Sequence, residues 1–120
     1  MLKNKIKLHE LHCLKKEQMS KVIHVKKMNN NVDRITTKDW EIDVHKSFVI
    51  EKNDIYHLTL APTMDTSAEY IMRGTVFNSK NDKILLSCGG LLCESECKYD
   101  TDIGSLLFVH LSKKSRKRPR

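Results

Sequence analysis

Aromatic, turn-forming and long apolar segments are all scarce in this chain. Phe, Trp and Tyr make up 6% of its 120 residues, with four glycines and two prolines. So little Gly and Pro excludes collagen-like and Gly/Pro-rich low-complexity structure. No run of 18 apolar residues occurs, so no helical membrane span is read. Residues 1–14 mix Lys with single apolar residues, and without a continuous apolar stretch they carry no secretory signal. The same segment lacks Arg and contains acid, which argues against a mitochondrial presequence. Four cysteines without a secretory signal point to a reducing compartment and away from a disulfide framework. There is no phosphate-cradling glycine loop, and none of the six histidines stands beside a Gly-rich nucleophile turn. The expectation is a protein that is not an enzyme and holds no cofactor.

What is present is charge, distributed unevenly. The formal total is +7. Residues 1–27 hold eight Lys against Glu10 and Glu17, and residues 113–120 hold six basic residues and no acid. Residues 28–112 hold 8 basic and 13 acidic residues, so an acidic body carries two basic ends. Phosphate affinity follows local clusters of Lys and Arg, which leaves the ends as the parts suited to DNA or RNA.

The hydrophobic pattern divides the chain in the same way. From Leu2 to about Val22 the residues Leu8, Leu11, Leu14, Met19 and Val22 approximate helical spacing, predicting a short amphipathic extension over 1–21. It either rests on the domain or docks on a membrane surface or partner. Beyond it, Trp40, Ile42, Val44, Phe48 and Ile50 share one parity and Asp39, Glu41, Asp43 and His45 the other, which is a strand with one wet face. Lys46-Ser47 breaks the series as a bulge or corner. Strands are also predicted at Val22–Met28, Ile55–Leu60, Glu69–Phe77, Ile84–Leu86 and Ile103–Leu111, with Gly89-Gly90 as a bend or bulge. Strands at this spacing without helices between them favour an all-β fold, an antiparallel β-sandwich or small barrel of about six to eight strands over 22–111. A disordered basic tail follows over 112–120.

Three constellations are candidates for function. Cys88, Cys93, Cys97 and His110 have the ligand types zinc prefers, without the close pair that opens most structural sites; the alternative is core and loop cysteines. Glu94, Glu96, Asp100 and Asp102 form an acidic segment that is either an ordinary solvated loop or a site for a basic partner. Lys113, Lys114, Arg116, Lys117, Arg118 and Arg120 form a basic run that reads as a nuclear localisation signal or a phosphate contact.

The order of features resembles the core domain of the nucleoplasmin family of histone chaperones. It is carried by the opening strand Val22–Met28, a polar turn, Trp40-Glu41-Ile42-Asp43-Val44 and His57-Leu58-Thr59-Leu60. The paired strands Tyr70–Phe77 and Lys83–Cys88 and the closing Leu107-Phe108-Val109-His110-Leu111 complete it. The resemblance implies a β-sandwich that assembles into rings and sets acidic loops against histones, with Glu94, Glu96, Asp100 and Asp102 as such a loop. The expectation is a nuclear, chromatin-associated, homo-oligomeric binding protein for basic partners such as histones. The alternative is a DNA- or RNA-binding protein that uses its basic ends.

Overall fold

A computed structural model describes residues 16–80, 82–96 and 101–114, with the side chain of Lys80 left aside. The described residues are all-β. Nine strands run in chain order: β1 (Lys16–Lys21), β2 (His24–Lys27), β3 (Val32–Thr36), β4 (Trp40–His45), β5 (Ile55–Ala61), β6 (Tyr70–Lys80), β7 (Lys83–Cys88), β8 (Leu91–Ser95) and β9 (Leu106–Lys113). They form a single curled antiparallel sheet in the order β1-β5-β9-β6-β7-β8-β4-β3-β2.

The two edge strands are neighbours in the chain. At Val22-Ile23 the backbone leaves one end of the sheet for the other. Val22 N–H donates to Asp54 O (2.8 Å) and its carbonyl accepts from Asn53 N–H (2.9 Å), whereas Ile23 N–H donates to Thr36 O (2.8 Å). The sheet therefore rolls towards itself and encloses the core on its concave face. A row of directly paired residues crosses that face: Ile35, Ile42, Cys93, Leu86 and Val76, all nearly inaccessible to solvent.

The predicted N-terminal helix is corrected where it can be seen. Residues Lys16–Lys21 are a strand, paired with β5 from Lys16↔Leu60 to Lys21↔Ile55; residues 1–15 of the expected helix lie outside the described residues. The reason is chemical. The inward positions of β1 include Gln18 and Ser20, whose polarity hides the two-residue period. Ser95 Oγ donates to Gln18 Oε1, Gln18 Nε2 to Glu96 O (2.7 Å), and Ser20 Oγ to Asp39 Oδ2 (3.0 Å), which satisfies these polar groups.

The strand count also exceeds the expected six to eight. Gly89-Gly90 does not bend one strand; it is the two-residue turn of a hairpin between β7 and β8, closing at Cys88↔Leu91. Both glycines have positive φ (63° and 97°), the conformation that matches the twist of paired strands and that side-chain-bearing residues resist. Val32–Thr36 is a further strand, reached through the polar Asn29–Asn31 turn. Lys46-Ser47 is a corner, one of the two expected forms, but the expected strand does not resume to Ile50: β4 ends at His45, and Phe48 N–H closes the turn onto His45 O (2.9 Å). Phe48 then stacks on Tyr70 (centroids 4.7 Å apart) and meets Tyr56 edge-on (6.0 Å), closing one end of the core.

A half-buried ion pair crosses the convex face. Arg34 on β3 and Asp43 on β4 are directly opposite; Nε donates to Oδ1 at 2.7 Å and Nη2 to Oδ2 at 3.0 Å. Asp43 Oδ2 also accepts from Leu92 N–H (3.1 Å), just past the last β4–β8 pair, Ile42↔Cys93. The carboxylate thus takes over where the backbone ladder stops.

Candidate functional site

The β4–β8 register brings together two carboxylates that lie far apart in sequence. Glu41 and Glu94 are direct cross-strand partners. Like charges at such positions repel and destabilise the pairing. Each is partly relieved: Thr36 Oγ1 donates to Glu41 Oε2 (2.8 Å), and Lys83 Nζ lies 3.1 Å from Glu94 Oε2. Hydrogen bonding to Glu94, then its charge, raises the Lys83 pKa, so this cation stays protonated beside the acid.

Asp39 and Glu96 flank the pair. Glu96 N–H donates to Asp39 O (2.9 Å), which fixes the end of β8 to the start of β4. Thr37 holds the preceding turn, its Oγ1 accepting from Asp39 N–H (3.1 Å) and Trp40 N–H (2.9 Å). The result is a surface cleft of about 170 Å³ lined by Asp39, Glu41, Glu94 and Glu96 with Lys38 and Lys83, while Arg34, paired to Asp43, also lies within electrostatic reach of Glu41 and Glu94. Four carboxylates against two ammonium groups leave a site that attracts cations. Its lining includes no Cys, Ser or His.

The acidic residues expected from sequence separate here. Glu94 belongs to β8 and Glu96 follows it, both in the cleft. Asp102 is exposed in the turn before β9, accepting from Ser105 N–H (3.1 Å), and Asp100 lies outside the described residues. Sequence reasoning missed Asp39 and Glu41 as site residues, because on β4 alone they read as the ordinary wet face of a strand. Only the pairing with β8 reveals them.

In the basic run, Lys113 ends β9 with Nζ 3.6 Å from Asp54 Oδ2, and Lys114 N–H donates to Ile55 O (2.8 Å). Arg116, Lys117, Arg118 and Arg120 lie outside the described residues.

The possible zinc ligands are engaged otherwise. Cys88 and Cys93 are buried on the core side of β7 and β8, and Cys97 lies outside the described residues. Burial pushes the Cys88 thiol up to about 11, which keeps it protonated and a poor ligand. His110 is buried on the convex face with both ring nitrogens in use: Nδ1 lies 3.1 Å from Thr59 O, and Nε2 accepts from Asp65 N–H at 3.0 Å. A carbonyl only accepts and an N–H only donates, so the ring is the Nδ1-protonated tautomer and Nε2 has no lone pair left for a metal. Among the described residues no group of three or more His, Cys, Asp or Glu side chains is arranged to hold a metal ion.

His110 also pins the segment 62–69 over the sheet, forming a second cleft of about 300 Å³ that includes Glu17, His57 and Asp65. Glu17 Oε2 is 3.2 Å from His57 Nδ1, an ion-pair distance without hydrogen-bond alignment. The Ser67 hydroxyl in this cleft donates to Asp65 Oδ1 (2.7 Å) and not to an imidazole. Among the described residues of this cleft no hydroxyl is hydrogen-bonded to an imidazole. No protein-family model matches the chain, and no curated protein matches it.

Proposed function

We propose that this is a non-enzymatic binding domain that takes basic protein segments, histones among them, into the cleft between β4 and β8. The observation that carries the reading is the direct opposition of Glu41 and Glu94, with Asp39 and Glu96 beside them. Such a pairing costs stability in the free protein and is relieved when a Lys or Arg of a partner enters. The acidic residues 28–112 supply a broader field of the same sign. On this reading the protein works in the nucleus, carried there by the basic run from Lys113 to Arg120. It self-associates through exposed apolar residues such as Phe77 and Leu106.

The test is a titration of the full chain with H3–H4 histones at physiological salt, beside Glu41→Gln and Glu94→Gln variants. Saturable binding that weakens at least fivefold in each variant supports the proposal. Binding unchanged by both substitutions, or binding of DNA in place of histones, refutes it. Light scattering on the same samples tests self-association, and a monomer at all concentrations removes that part.

A further inference from the structure

The β2 edge of the sheet is open, and its chemistry differs from that of the β4–β8 cleft. All four residues of β2 are exposed on both faces, and the strand pairs only with β3. The other edge strand, β1, is closed by Gln18 and Ser20 reaching Ser95, Glu96 and Asp39; β2 has no such bonds on its free side among the described residues.

The backbone pattern shows what that side offers. Met28 N–H donates to Val32 O (2.8 Å), which makes Met28 and Val32 a hydrogen-bonded pair. Antiparallel pairs alternate, so Lys26 and Arg34 are bonded likewise, while Val25 and Lys27 turn N–H and C=O to the open edge. The core row also stops short here. Val25 is paired to Ile35 and continues the row Ile35, Ile42, Cys93, Leu86 and Val76, yet it is 38% exposed where those are 0–1%. Ile23 and Met28, on either side of the strand, are exposed to a similar degree. One added strand would cover this apolar end and satisfy the outward backbone groups.

We infer that β2 is a strand-addition site for an extended acidic peptide segment. Charge selects that occupant. His24, Lys26 and Lys27 lie on the strand, with Asp33 as the nearest paired acid. A second copy of β2 would set these lysines against one another, which like-charge repulsion disfavours. A segment alternating Glu or Asp with apolar residues sets its carboxylates beside Lys26 on one face and its apolar side chains over Val25 on the other, the face that Val25 shares with Lys27. The site is separate from the β4–β8 cleft and stands or falls independently of it.

The experiment uses the full chain and fluorescence anisotropy with three probes: an extended heptapeptide alternating Glu and Val, the same peptide with alternate amides N-methylated, and a dT12 oligonucleotide. Saturable binding of the first, weakened at least tenfold by N-methylation, is the expected result. Lys27→Pro removes an outward N–H without breaking a β2–β3 bond and should weaken binding tenfold or more, whereas Lys27→Gln, which removes only charge, should cost less. Glu41→Gln should leave the peptide affinity unchanged. Equal binding of the methylated peptide, binding of dT12 alone, or no binding of the first peptide overturns the proposal. The methylation comparison is made on the unsubstituted protein and holds even if Lys27→Pro fails to fold.

Discussion

Replacing Asp43 by Ala removes the acceptor of three hydrogen bonds at once, two from Arg34 and one from Leu92 N–H. The Asp43 side chain is 7% exposed and that of Arg34 28%, so the stranded guanidinium recovers only part of its hydration. Breaking one partner of a fully buried ion pair costs about 3–5 kcal/mol, and partial exposure of Arg34 reduces this to about 2 kcal/mol. The unpaired Leu92 N–H adds about 1 kcal/mol. The expected loss of about 3 kcal/mol is a large share of the roughly 5–15 kcal/mol that holds a domain folded. Trp40 is the only tryptophan and is buried, so its fluorescence reports unfolding in urea directly. The midpoint should fall sharply with an unchanged slope. Arg34→Met with Asp43→Leu should recover most of the loss, because the cost lies in the uncompensated charge. A loss below about 0.5 kcal/mol in Asp43→Ala would refute the idea that this carboxylate joins β3, β4 and β8.

Other substitutions probe separate parts of the fold. A Cβ at Gly74 would stand 2.7 Å from Cys88 Sγ and 3.2 Å from Leu86 Cβ, so Gly74→Ala should cost about 1–3 kcal/mol in urea unfolding, and adding Cys88→Ala should return part of it. The Cys88 thiol has its pKa raised by burial from 9.0 to about 11, so the unfolded chain ionises first. Its contribution is intact below pH 9 and is lost as pH rises towards 11; unfolding midpoints should fall more steeply there than in Cys88→Ala, and equal slopes would contradict this. His110→Leu leaves Thr59 O and Asp65 N–H without their buried partner, so amide exchange at Asp65 should accelerate and stability should drop by about 2 kcal/mol.

Much of the sheet was legible because its strands have one wet and one dry face. Trp40, Ile42 and Val44 alternate with Glu41 and Asp43, and the inward residues are those the parity predicts. The polar Asn29–Asn31 turn and the Lys46-Ser47 corner also follow from local chemistry. β1 was hidden for the opposite reason: its inward Gln18 and Ser20 are polar and are satisfied by residues nearly twenty to eighty positions away. The cleft is invisible for a related reason. Glu41 and Glu94 become neighbours only through the β4–β8 register, which no local pattern encodes. Asp43 shows the limit of parity itself, since a residue on the wet face is buried by its ion pair with Arg34.

The most direct test of the central claim is an amide chemical-shift titration of the full chain with H3–H4 histones at physiological salt. Saturable shifts centred on Asp39, Glu41, Glu94 and Glu96, lost in Glu41→Gln with Glu94→Gln, are what binding in the cleft predicts. Absent shifts, or shifts that leave those four residues unmoved, would contradict it.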